Sequence, residues 1–412
     1  MLRHTFRALG HAGYRCYFIG QGISQIGNWT QQIVLSWLTY AQSGSAWTLA
    51  LVVALGQLPL LLLGPYAGVL ADRHPRRPLL LACQVLGLLL ASGLALSSLS
   101  AEPRVGLLLA ASLGTGLLNA LEMPVRQALL GALIGNRDLR DNALALNSLS
   151  FNAARLIGPP MAGLLFTHYG AALCFALNAL SYLAALYSLR QMPVMPALVN
   201  PHARAGLDQA LRWLRDTHPA RWLLLAAGIS SLCLAPFMAL LPVYARDIFA
   251  LDPAGLGQLL GTSGLGALLA TLLLASRRNQ WRLETFMAGG ALLFGLSCLG
   301  FACNRHLWLA WPLMVAAGAG LVACVTSSGI LLQSLVTDAL RGRVMALHGM
   351  AYVGSMPLGS LLAGGLAAQL SVPAAFAIAG LGMLILSALL LRWLPKPGIC
   401  PAQPTSEPLS LK

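Results

Sequence analysis

Apolar runs recur from one end of the chain to the other, separated by short polar or Pro- and Gly-rich breaks. About 20 helical residues cross the roughly 30 Å of bilayer hydrocarbon. The pattern predicts twelve crossings, at roughly 15–41, 47–71, 79–100, 105–130, 142–168, 171–191, 220–246, 255–276, 284–303, 308–336, 343–370 and 374–394. Hydrocarbon offers no partner to backbone N–H and C=O groups, so the runs read as helices and the fold class as all-α integral membrane.

The longest polar break, residues 191–221, separates six runs from six. Within it Leu207, Ala210, Leu211 and Leu214 recur with helical period, predicting a short amphipathic helix that lies on the membrane face or serves as a solvated linker. The reading is therefore a six-helix bundle over 1–191, a linker over 192–219, a second bundle over 220–395 and a disordered, proline-rich tail over 396–412. The two bundles resemble each other. NALALNSLSFNAARLIGPPMAGLL (142–165) aligns without gaps on RVMALHGMAYVGSMPLGSLLAGGL (343–366), pairing Gly158 with Gly359 and Gly163 with Gly364. Such parallel repeats place a substrate site at their interface.

Polar residues inside the apolar runs carry the candidate chemistry. On a wheel of roughly 100° per residue, Gln21, Gln25, Asn28 and Gln32 share one arc of the first helix, with Gln31 off it. Lipid cannot satisfy amides, so this stripe faces either a wet cavity or another helix. Thr115, Asn119, Glu122 and Arg126 share a face of the fourth helix; Ser148, Asn152 and Arg155 share one of the fifth. In the second bundle Ser230, Phe237 and Tyr244 align, as do Thr326, Ile330 and Gln333, predicting a cavity polar on one side and apolar-aromatic on the other. That suits an amphipathic organic solute. Glu122 is the one carboxylate well inside a run and the candidate proton carrier, with Arg126 and Arg155 as modulators; a structural Glu122–Arg126 pair is the alternative.

Composition fits a membrane class: 57% hydrophobic and 9% charged, against roughly a quarter charged in soluble domains. The net charge of +14 does not point to nucleic acid, because placement explains it. Of the 26 Lys and Arg, only Arg104, Arg246 and Arg305 fall on one side of the predicted bundle and only Arg126 and Arg155 within it; the rest share the other side. By the positive-inside rule that side, with both termini, is cytoplasmic, and the membrane the inner one. No cleavable signal peptide is evident, and no C-x-x-C pair suggests a disulfide framework or a metal site. No Walker loop, H-E-x-x-H or G-x-S-x-G occurs. The expectation is a transporter without cofactor or metal, not an enzyme, with a membrane-embedded enzyme or a non-transporting receptor as lesser alternatives.

GVLADRHPRR, with Gly68, Asp72, Arg73 and Arg76, resembles the cytoplasmic loop motif of the major facilitator superfamily, although Pro75 stands where the family has glycine. GPPMAG (158–163), with Gly158, Pro159 and Gly163, is similar to the motif of its antiporter branches. MPVRQALL (123–130), LNSLSFNAARLIGP (146–159) and LRGRVMAL (340–347) resemble the branch of macrolide-efflux and siderophore-export proteins. The resemblance implies two pseudo-symmetric six-helix bundles and alternating access. It also implies a gating role for the Asp72 loop, and proton-coupled export of a siderophore- or drug-like small molecule by a chain acting as a monomer. An importer or a lipid flippase on the same fold is the runner-up.

Overall fold

The computed structural model describes residues 7–100, 102–133, 137–192, 207–276 and 282–393. The expected tail, and most of the linker before its helix, lie outside them. The helices are α1 (Ala12–Ser43), α2 (Ala46–Arg73), α3 (Arg76–Ser100), α4 (Val105–Leu133) and the long element Arg137–Arg190. That element breaks at Gly170, whose φ of 77° is strained for any L side chain; residues 137–169 form α5 and 171–190 form α6. After α7 (Leu207–Asp216) come α8 (His218–Val243), a π turn Tyr244–Ile248, α9 (Pro253–Ser276), α10 (Leu283–Cys303), α11 (Leu307–Leu335), α12 (Asp338–Gln369) and α13 (Val372–Trp393).

Local chemistry sets the breaks. Gly44 ends α1 in the left-handed region and caps it through Gly44 N–H to Tyr40 O, and the next residue, Ser45, accepts from Thr48 N–H to start α2. Asp252 accepts from Gly255 N–H ahead of Pro253 at the start of α9. α5 and α12 begin at Arg137 and Asp338, ahead of the expected 142 and 343. Their charged first turns continue the helix beyond the apolar run, in the same way in both repeats. Among the described residues ten segments are long and apolar enough to cross a membrane. One of them, Leu146–Arg190, is two crossings joined at Gly170. α1 is not among the ten, because its amides dilute its hydropathy.

An even number of crossings puts both described ends of the chain at one end of the bundle; the other is the far end. Leucines such as Leu89, Leu96 and Leu362 are exposed on the outside, as a lipid-facing belt requires. Inside the second bundle Phe237, Tyr244, Phe294, Phe301 and Phe376 pack ring against ring, with centroids 4.8 Å apart for Phe237–Phe376 and 4.9 Å for Tyr244–Phe376. α7 docks by Ala210 and Leu214 onto α8 and α12 while Leu211 stays exposed, so its apolar face covers protein.

The halves meet along two seams, α5 on α9 and α2 on α12. Paired glycines make the repeat visible in packing. A Cβ at Gly158 would stand 2.7 Å from Trp29 Cβ on α1, and one at Gly359 2.8 Å from Leu232 Cα on α8. A Cβ at Gly163 would strike Pro253 and Ala254 at the start of α9; one at Gly364 would strike Ala50 on the first turns of α2. Each glycine thus meets the counterpart of what its repeat mate meets.

Candidate functional site

In the far half of the first bundle, α1, α2 and α4 enclose a cavity with about 90 Å³ of room for water. α1 contributes Asn28, Gln31, Gln32, Leu35 and Ser36; α2 contributes Val52, Val53, Gly56 and Gln57; α4 contributes Ser112, Thr115 and Asn119. Gln31 is the hub. Its Nε2 donates to Thr115 Oγ1 at 3.3 Å, and its Oε1 accepts from Asn178 Nδ2 of α6 at 2.8 Å. Ser181 donates to Asn178 Oδ1 at 3.0 Å, and Tyr182 donates to Asn28 Oδ1 at 2.8 Å. Ser112 donates to Val52 O at 2.6 Å and holds α4 to α2.

The α1 stripe therefore divides. Asn28 and Gln32 line the cavity, with Asn119 opposite. Gln21 and Gln25 do not: they are buried within the bundle, nearer the end that holds the termini. There Gln21 Nε2, Gln25 Oε1, Tyr17 OH and Gln84 Oε1 are all buried without a hydrogen-bond partner among the described residues. Glu122 lies in the same interior, 7% exposed, bonded to Arg126 Nη1 at 3.2 Å, with Tyr17, Cys83 and Tyr182 in electrostatic range. Buried polar groups left unpaired by protein are groups for water to serve.

Other expected cavity residues lie elsewhere. Phe237 and Tyr244 belong to the aromatic core; Tyr244 donates to Phe301 O at 3.1 Å, and burying such rings outweighs presenting them to water. Gln333 is exposed near the end of α11 that holds the termini. Asn152 turns its amide back to Ser148 O of its own helix, at 3.0 Å. Arg155 is not beside Glu122; it donates to Ser263 Oγ of α9 at 3.3 Å, at the seam. Pro159 and Pro160 do not break α5. They pack on Gly257 and Gly261 of α9. The side chains of Gly68, Asp72 and Arg73 lie outside the described set; Arg76 is buried, and Arg77 donates to Arg190 O at 2.7 Å, closing the end of α6. The sequence reading missed Gln31, Gln57, Asn178 and Tyr182. Asn178, Ser181 and Tyr182 share a helical face in an apolar run, the same signal that marked α1.

A family described as "Transmembrane secretion effector" matches residues 4–404. The "Staphyloferrin A transporter" of Staphylococcus aureus (strain NCTC 8325 / PS 47) is 26% identical over 383 residues, covering 90% of this chain and 94% of that protein. The "Enterobactin exporter EntS" of Shigella boydii serotype 18 (strain CDC 3083-94 / BS512) is 26% identical over 394 residues, covering 92% and 91%. A crystal structure of a D-xylose–proton symporter superposes with a TM-score of 0.74 at 15% identity, over 93% of this chain and 98% of that one.

Proposed function

The chain belongs to the transmembrane secretion effector family of major facilitator transporters, and on that premise we propose that it exports small amphipathic organic molecules, siderophore- or drug-like, in exchange for protons. It is a multi-pass membrane transporter and not an enzyme. Export is supported by the similarity to an enterobactin exporter. Proton coupling is supported by one observation above the others: Glu122, buried at membrane depth, shares the first bundle's interior with four polar atoms that have no hydrogen-bond partner among the described residues. A carboxylate at that depth with water to serve it can take up and release a proton. Arg126 pairs with Glu122 at 3.2 Å, and a proton taken up by Glu122 would free Arg126 for another partner.

The placement of basic residues supports termini in the cytoplasm, which makes the far end the outer face. Contacts at that end then close the path outward: Tyr40 bonds to Asp247 beneath Arg246, and Thr167 donates to Asp252 at 3.4 Å. In this reading Gly68, Asp72, Arg73 and Arg76 form the inner gate, Gly158 keeps α5 close on α1, Pro159 and Gly163 keep the α5–α9 seam tight, and one chain contains the whole path. The test is uptake of a labelled siderophore or macrolide into inverted membrane vesicles. An acid-inside pH gradient is expected to drive accumulation, and nigericin to abolish it; uptake indifferent to the gradient contradicts proton exchange.

A further inference from the structure

We propose that Arg155 anchors an anionic group of the transported molecule, so that the preferred substrates are amphipathic organic anions carrying a carboxylate or phenolate beside an aromatic body. This rests on the transporter reading above and adds the charge class of the substrate. α5 packs on α9 along one seam, and α12 on α2 along the other. Arg155 leaves α5 at the first seam, where it bonds to Ser263. It also lies in electrostatic range of Tyr352 on α12. A side chain that touches α9 and addresses α12 projects from one seam toward the other, through the middle of the molecule where the two halves face each other.

The guanidinium is permanently charged and carries five N–H donors. Among the described residues its one hydrogen-bond partner is Ser263, and no carboxylate stands in ion-pair range. The residue as a whole is half-buried, while its guanidinium lies deep within the protein. A charge at membrane depth is costly unless an opposite charge answers it, and neutral hydroxyls from Ser263 and Tyr352 do not. A carboxylate received by the planar fork does. Aromatic surface adjoins the site. Phe151, one turn before Arg155, is 49% exposed, with its ring centroid 6.3 Å from that of Trp29 on α1. Glu122, the membrane-depth carboxylate that could have neutralised Arg155, is bonded to Arg126 instead.

The rival role is a latch that only ties α5 to α9. Ser263→Ala removes the tie and leaves the charge; Arg155→Gln removes the charge. Binding of 1-naphthoate and of its neutral isostere 1-naphthamide is measured by calorimetry on the detergent-purified full chain. Wild type is expected to bind the carboxylate at least about tenfold tighter than the amide. Arg155→Gln is expected to erase that preference, and Ser263→Ala to keep it. Equal binding of the two probes, no saturable binding of the carboxylate, or a preference that survives in Arg155→Gln overturns the proposal. The wild-type comparison stands even where the Gln variant fails to fold. No transport step enters this assay, so its failure leaves the export reading in place, and failure of vesicle uptake leaves the anion site in place.

Discussion

Gln31 and Gln21 are both buried amides on α1, and they should respond to mutation in opposite ways. Gln31 bonds to Thr115 and Asn178, so Gln31→Leu strands a buried amide of α6. The expected cost is about 1–3 kcal/mol, seen as a lower melting temperature of the purified protein. Gln21 Nε2 has no partner to strand among the described residues. Gln21→Met, close to it in shape, is expected to change the melting temperature little while slowing proton-driven transport, because it removes a polar group from the interior around Glu122. Equal destabilisation by both substitutions contradicts the division of the stripe drawn here. At this scale the sequence was informative about residue type and less so about partner. An amide in an apolar run had to be inside, but a wheel ranks angles and says nothing of neighbours. α1 is wrapped by α5 and α6 on one side and α2 and α4 on another, so Gln31, off the arc, became the hub. Phe237 and Tyr244 shared a face with Ser230, yet that face meets three more phenylalanines and stays dry.

At the scale of the helix, the α5–α9 seam depends on missing side chains. Any side chain at Gly163 collides with the backbone at the start of α9. Gly163→Val is therefore expected to force the far ends of α5 and α9 apart, abolishing transport while the protein still reaches the membrane. A spin-label distance across that end reports it: a longer or broader distribution is expected, and an unchanged one with full transport contradicts the seam's role. The helices themselves were legible because twenty apolar residues have few other fates. The matched glycines were legible too, since the aligned repeats placed Gly163 opposite Gly364 before any contact was known. The π turn at Tyr244–Ile248 had no sequence signal; it carries Asp247, which bonds to Tyr40 of α1 at the far end. The early starts of α5 and α12 were hidden for another reason: their charged turns are helical but not apolar.

At the scale of the whole molecule the protein joins two unlike halves. Among the described residues the first bundle holds the α1 amide stripe, the membrane-depth carboxylate Glu122 and the water-sized cavity; the second holds an aromatic core, with Arg155 at the seam between them. The sequence foretold this asymmetry, but it placed the polar wall at the interface of the repeats. The water-sized cavity lined by Asn28, Gln32 and Asn119 lies inside the first bundle, where α2 supplies lining and α6 supplies partners that no single-helix pattern reveals. In the proposed exchange Glu122 carries the coupled proton and takes no part in holding the solute. The most direct measurement compares Glu122→Gln with wild type in the same vesicles, for pH-driven accumulation and for substrate exchange at equilibrium without a gradient. Exchange is expected to persist while accumulation is lost. Accumulation at the wild-type level in Glu122→Gln contradicts it.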